Sequence, residues 1–182
     1  TPIGYEMSYL KNAYPLCRLI PQAFRQSQGL TTDRVSALVA HMGQTLSHIH
    51  AAGILVVDLN EMNVLVNRFY EHAYFIDTDS YQTPSHSATA IMDTVRDRQM
   101  GSNGFSRDSD WFSFAVISFQ LFVGMHPYRG KHPRIHGLNE RMEAQVSIFC
   151  PEVVRPPSIG NLSDIPSTLR RWYHAVFEGR TR

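Results

Sequence analysis

Cysteine is scarce in this sequence: Cys17 and Cys150 are the two among 182 residues. Two cysteines make no disulfide framework and fit a reducing compartment. An excess of one charge is also missing, since the formal net charge is +1. That leaves no electrostatic case for nucleic acid. No apolar run approaches the length needed to span a bilayer and no signal peptide is visible, so the expected setting is cytoplasmic. Internal repeats and low-complexity tracts are absent, as is a G-x-G-x-x-G loop. Lysine is rarest of the charged residues, with Lys11 and Lys131 against fifteen arginines.

What is present describes a globular chain. Hydrophobic residues make up 43% and charged residues 18%, outside the range of disordered segments. The length suits one domain with a proper core.

Residues 48–82, HIHAAGILVVDLNEMNVLVNRFYEHAYFIDTDSYQ, organise the chain. Three short apolar runs, 54–57, 64–66 and 73–76, read as strands. Each ends at or flanks a polar residue that a strand does not need. Asp58 follows the first run, Asn63 comes five residues later, and Asp77 closes the third. Phosphoryl transfer requires this layout. One carboxylate stands near the acceptor hydroxyl, and an amide and a second carboxylate hold magnesium on the phosphates.

VVDLNEMN and DTD resemble the catalytic and metal-binding loops of the eukaryotic-type protein kinase superfamily. DWFSFAVISFQLFVGMHPYRG, residues 110–130, is similar to that family's long buried helix. More narrowly, the motifs resemble a bacterial branch whose kinase-like domain is often fused to a helix-hairpin-helix segment. The resemblance covers residues 3–130 well and the tail poorly. It implies a mainly α, protein-kinase-like large lobe: a helical bundle with a few short strands at the catalytic and metal-binding loops. ATP and Mg2+ would be the cofactors. Asp58 would act on the acceptor hydroxyl, Asn63 and Asp77 would bind metal, and Asp110 would brace the catalytic-loop backbone through amide hydrogen bonds. Glu6, Met7 and Leu65 would contact the nucleotide, with residues 1–10 as the hinge between lobes.

Several family features are missing. The family's His and Arg before the catalytic Asp are Val56 and Val57, its Lys two residues after it is Asn60, and the glycine of its metal-binding turn is Asp79. Valine cannot grip a phosphate, so activation by phosphorylation of the following segment is not expected. Neither lysine sits in a Val-Ala-x-Lys-like strand. The ATP-binding small lobe, with its lysine and glycine loop, is therefore expected to precede residue 1, and these 182 residues alone are expected to bind ATP weakly.

Along the chain, residues 12–29 carry no clear signal beyond Pro15 and Pro21. Residues 31–52 read as a helix capped by Thr31, Thr32 or Asp33, with Val35, Leu38, Val39, Met42, Leu46 and Ile49 as its apolar stripe. His41, His48 and His50 read as surface or satisfied core residues, because no metal-spaced partners join them. Residues 83–109 should hold the activation and peptide-docking segment, although no Ala-Pro-Glu occurs, and Gly101–Gly104 reads as a plain loop turn. Residues 110–124 read as a buried helix, with Ser109 or Asp108 as caps. His126, His132 and His136 read as a solvated basic loop. Residues 138–146 and 167–177 are further helices, and Arg180 is the candidate for the arginine that closes the kinase large lobe.

Three functions compete. The first is a Ser/Thr-type protein kinase lobe, with a protein substrate and the small lobe as partners and no nucleic acid or membrane. The second is a pseudokinase used as a nucleotide-binding or scaffold module, favoured by Val56, Val57, Asn60 and the missing docking motif. The third is a small-molecule phosphotransferase of the aminoglycoside or choline type, which shares Asp-x-x-x-x-Asn and Ile-Asp-x-Asp. A carboxylate-based metal hydrolase is a remote fourth.

Overall fold

A computed structural model describes residues 8–101 and 104–179. Its helices are α1 (Gln22–Ser27), α2 (Thr32–Ala51), α3 (Arg107–Val123), α4 (Leu138–Glu143) and α5 (Ser167–Glu178). Three short strands, β1 (Ala13–Pro15), β2 (Val64–Asn67) and β3 (Ala73–Phe75), form one antiparallel sheet in that order. The register pairs Tyr14 with Val66 and Leu65 with Tyr74. The fold is mainly helical with a small sheet, as the motifs imply. No helix among the described residues is long and apolar enough to cross a membrane.

The Thr31 side chain caps α2 by accepting from the Arg34 amide at 3.4 Å, and Asp33 in the first turn complements the helix dipole. Val35, Leu38, Val39, Met42 and Leu46 all point into the core. Gly53, at φ +76, turns the chain out at the other end.

Helix α3 is the axis of the lobe. From Phe112 to Val123 every residue is buried. Each large apolar side chain there contributes about 1.5–3 kcal/mol by leaving water. Its hydroxyls are all satisfied: Ser113 donates to the Val95 and Ser109 carbonyls, and Ser118 to that of Phe114 while accepting from Tyr173. The helix starts three residues earlier than the sequence suggests. Ser106, rather than Ser109 or Asp108, is the cap, and Ser109 closes a reciprocal capping box with it. Gly124 ends it at φ +80, where a Cβ would lie 3.1 Å from the Ile20 carbonyl oxygen. Helix α5 packs on α3 through aromatic rings. Trp111 meets Trp172 edge-to-face at 6.4 Å between centroids, and Phe119 meets Tyr173 and Phe177 at 5.4 and 5.6 Å.

Two readings of the sequence need correction. Residues 54–57 form no strand: the only pairing there is an isolated bridge between Leu55 and Gln82. The amides of Val56 and Val57 go to Asp110 instead of a ladder. Nor is the histidine-rich stretch solvated throughout: His136 is exposed as expected, but His126 and His132 are 5% and 6% exposed. Each closes a tight turn by accepting a backbone amide at Nδ1, from Tyr128 or from Arg134 and Ile135. The Nε2–H of His126 donates to the Thr94 carbonyl at 2.8 Å, and that of His132 to Glu152 at 2.9 Å.

Burial, with the charges of Arg129 and Arg141, pushes His126 down to about 4, against the opposing pull of the Thr94 carbonyl. Its folded-state value lies below the unfolded 6.5, so the folded state resists the proton. The stabilisation is complete above pH 6.5 and lost as pH falls towards 4. On the order of 3 kcal/mol should go across that window. Denaturant melts between pH 7 and 4 on the wild type and His126→Gln check this: the variant should show a visibly flatter profile.

Candidate active site

The site is built where β2, β3 and the loop before β2 meet the start of α3. Asp110, wholly buried, fixes that loop. Its carboxylate accepts from the Val56 and Val57 amides at 2.8 and 2.9 Å, and pairs with the His50 Nε2 at 2.8 Å. Arg107 in turn donates to the His50 carbonyl at 2.8 Å. His50 is thus held by α3 from two sides.

This grip holds an unusual backbone. Val57 sits at φ +63, and the Asp58 amide donates to the Val56 carbonyl at 2.8 Å. That is a three-residue turn of the rare, strained hand, centred on a β-branched residue. Such a conformation costs on the order of 1–3 kcal/mol. Val56 and Val57 are equally buried, at 2% and 1% exposure, and Val56 is not in the left-handed region. Glycine at either position loses the same packing, but at 57 it also relieves the strain. Val57→Gly should therefore cost at least about 1 kcal/mol less than Val56→Gly, measured by urea unfolding. Equal losses would mean that the turn stores nothing.

Beyond the turn, Asn63 draws the two carboxylates together. Its Nδ2 donates to Asp58 Oδ2 and to the Asp58 carbonyl, each at 3.1 Å, and to Asp77 Oδ2 at 3.4 Å. Its backbone carbonyl accepts from the Ile76 amide at 3.0 Å, tying the loop to the residue before Asp77. Asn60 is 1% exposed and spends its side chain on the loop: Oδ1 accepts the Met62 and Asn63 amides at 2.8 and 3.1 Å. It therefore does not stand in for a lysine charge. The other Asp58 oxygen, Oδ1, accepts the Met92 amide at 2.7 Å. Residues 83–101 thus run past Asp58 without helix or strand, anchored by buried Val95.

Asp77 caps a short 3-10 turn, Thr78–Ser80, in the left-handed conformation, φ 62 and ψ 46. Asparagine-like residues tolerate that region best after glycine. Ser80 Oγ donates back to the Asp77 carbonyl at 2.8 Å. Local desolvation, then a hydrogen bond and repulsion from Asp79, then repulsion from Asp58 raise the Asp77 carboxyl above its ordinary value. Water still reaches the side chain, so part of that repulsion is screened.

A groove of about 450 Å3 opens beside Asp77, lined by Leu65, Phe75, Ile76, Thr78, Asp79 and residues 8–10. Leu65 therefore shares a wall with Asp77. Glu6, Met7 and Arg180 lie outside the described residues, as do Ser102 and Asn103. Among the described residues no group of three or more His, Cys, Asp or Glu is placed to hold a metal. Metal chemistry here would rest on Asp77 with the Asn63 amide. Those oxygen donors suit Mg2+, which takes few protein ligands and keeps its waters. Of the causes that raise the Asp77 carboxyl, desolvation comes first and repulsion from Asp79 and Asp58 after it; a cation would relieve that repulsion.

Three contributions to the site were not visible in the motif: the His50–Asp110 pair, the bracing by Asn60, and the Met92 amide on Asp58. His50 was detectable in principle, as a polar residue at the end of the apolar stripe of α2. Nothing local in the sequence points to Met92.

No family model matches the chain. Similarity to curated proteins is distant. Ribosomal protein S6 kinase alpha-3 of Mus musculus is 23% identical over 106 residues, 56% of this chain and 14% of its own length. Ribosomal protein S6 kinase alpha-2 of Homo sapiens is 25% identical over 109 residues, again 56% of this chain and 14% of its own length. For ribosomal protein S6 kinase 2 beta of Xenopus laevis the figures are 25% over 109 residues, 56% and 17%. The match thus spans about one-seventh of the length of these relatives. Fold and distant relatives agree on a protein-kinase-like large lobe.

Proposed function

We propose that this chain is the large lobe of an ATP- and Mg2+-dependent phosphotransferase acting on a protein hydroxyl. The observation that carries the reading is Asn63. One amide joins the carboxylate suited to orient an acceptor to the carboxylate suited to hold a cation, at the rim of the Leu65-lined groove. Asp58 orients the acceptor hydroxyl and takes its proton at Oδ2. Bound Mg2+ would neutralise charge on the ATP phosphates, with Asp77 and the Asn63 side-chain oxygen as its protein ligands. Leu65 contributes to the nucleotide wall, and Glu6 and Met7 to the hinge. The small lobe, preceding residue 1, supplies the remaining phosphate contacts. Two free cysteines, Cys17 and Cys150, fit a cytoplasmic setting. The bacterial helix-hairpin-helix branch is the subgroup whose motifs this chain resembles.

The buried Asn60 favours a second reading, a nucleotide-binding pseudokinase, because it leaves no cation from this loop near the transferred phosphate. Labelled ATP decides between them. Full-length protein with Mg2+ should pass label to itself or to a protein mixture. Nucleotide binding without transfer would establish the pseudokinase, and transfer to small alcohols or aminoglycosides alone would move the assignment to a small-molecule phosphotransferase.

A further inference from the structure

The turns that follow α3 frame a groove of about 470 Å3, lined by none of Asp58, Asn63 and Asp77. Met125, Leu138 and Pro156 give it an apolar wall, beside buried Tyr128. Arg129, Lys131 and His136 stand around it, all three exposed, and no acidic residue lines it. Among the described residues none of these three side chains makes an ion pair. Glu152, which lies close by in the chain to Pro156, is already committed to His132 at 2.9 Å and Arg134 at 3.2 Å. Glu140, in the first turn of α4, accepts the Gly137 amide at 3.3 Å.

The groove is held in shape by contacts behind its surface. Arg141, 1% exposed, donates to the Gly130 and Val146 carbonyls, each at 3.1 Å. Lys131 and Val154 exchange backbone hydrogen bonds at 2.9 and 2.8 Å, which fixes the main chain of Lys131 and sets Val154, 66% exposed, beside it. The Tyr128 hydroxyl donates to the Phe177 carbonyl at 2.9 Å. A rim fixed in advance loses little order when it is occupied.

We propose that this groove docks an acidic polypeptide segment. One large apolar side chain of the segment sits on Met125, Leu138 and Pro156, and neighbouring carboxylates meet Arg129 and Lys131, with His136 as a further donor. The proposal stands apart from the phosphotransferase reading, since docking here uses neither Asp58 nor nucleotide. Charge complementarity selects the occupant: two unopposed cations over a low-dielectric wall attract an anionic chain and reject a basic one. A bare anion would leave the apolar wall wet. A bilayer needs protruding apolar groups, whereas this wall is concave. Nucleic acid needs a broad positive face, and the chain carries a formal net charge of only +1.

The test is selection of random short peptides, displayed on phage, against immobilised full-length protein. Enriched peptides should share one large apolar residue with aspartate or glutamate on either side. A synthetic copy, followed by fluorescence anisotropy, should bind about tenfold or more weakly to the Arg129→Glu, Lys131→Glu double variant. It should also lose affinity when its acids become amides or its apolar residue becomes alanine. Arg129→Lys with Lys131→Arg should keep the binding. Should the charge reversal fail a thermal-melt check, Arg129→Gln with Lys131→Gln takes its place.

No enrichment, or enrichment without acidic residues, overturns the proposal. So does a variant without the two cations that binds as tightly as the wild type. Peptide displaced by inorganic phosphate alone would make the groove a plain anion site. Phosphatidylserine vesicles bound in preference to peptide would make it a membrane surface. Either result also overturns it.

Discussion

Asp110→Ala is expected to lower the unfolding free energy of this chain by about 3–5 kcal/mol. The carboxylate is 0% exposed and holds three groups at once: the amides of Val56 and Val57 and the ring of His50. Truncation leaves all three buried and unpaired, and the cost of losing one partner of a buried polar set exceeds the net worth of the pair. It also frees the strained turn at Val57, which gives back part of the loss. A domain of this size is typically stable by only about 5–15 kcal/mol, so the variant should melt far earlier or fail to accumulate. Asp110→Asn keeps the shape and one acceptor oxygen and should lie between. Urea unfolding of the three proteins is the measurement. A loss under about 1 kcal/mol for alanine would show that water reaches the loop and replaces the carboxylate.

The second large effect separates the two carboxylates joined by Asn63. Asp58→Asn should reduce transfer by about 10²–10⁴-fold, the range lost with a positioned proton acceptor. Nucleotide binding should persist, because Asp58 does not line the groove. Asp77→Asn should abolish Mg2+-dependent nucleotide binding and transfer together. It should also make the metal-free protein slightly more stable at neutral pH. The carboxyl of Asp77 is raised in the folded state, so ionisation opposes folding above that value and the penalty disappears as pH falls through it. Exposure keeps the gain under about 1 kcal/mol. Calorimetric titration with Mg-ATP and a thermal melt without it test both halves. Loss of binding in Asp58→Asn, or a lower melting point in Asp77→Asn, would break the division of roles.

The elements read correctly from sequence are those whose signals are local. Helix α2 announces itself by a cap, a stripe at helical spacing and a terminal glycine, and α3 by an apolar run too broad for one face. Asp58, Asn63 and Asp77 stood out because polar residues there interrupt apolar runs. What escaped is held by distant partners. Residues 12–29 carry no periodicity, yet they contain β1 and α1: β1 pairs with β2, and buried Arg25 donates to the carbonyls of Leu19, Ile20 and Phe122. Residues 54–57 have strand composition, but an aspartate more than fifty residues away takes the amides of Val56 and Val57. His126 and His132 look polar and solvated, but each spends its Nε2–H on a distant group, the Thr94 carbonyl and the Glu152 carboxylate. Burial of a polar residue is decided by whether its hydrogen bonds are met, and that information is not in the neighbouring sequence.

The aromatic seam between α3 and α5 has an optical consequence. Trp111 and Trp172 are the only tryptophans in the chain, and they face each other across that seam. Indole emission and the indole bands of the near-ultraviolet dichroism therefore report one event, the docking of α5 on α3. Nucleotide entering the Leu65 groove has no indole beside it to perturb. An emission change on adding Mg-ATP would mean that the catalytic loop passes strain through His50, whose ring lies 6.0 Å from that of Trp111. A silent spectrum would mean that the lobe isolates its site from its spine.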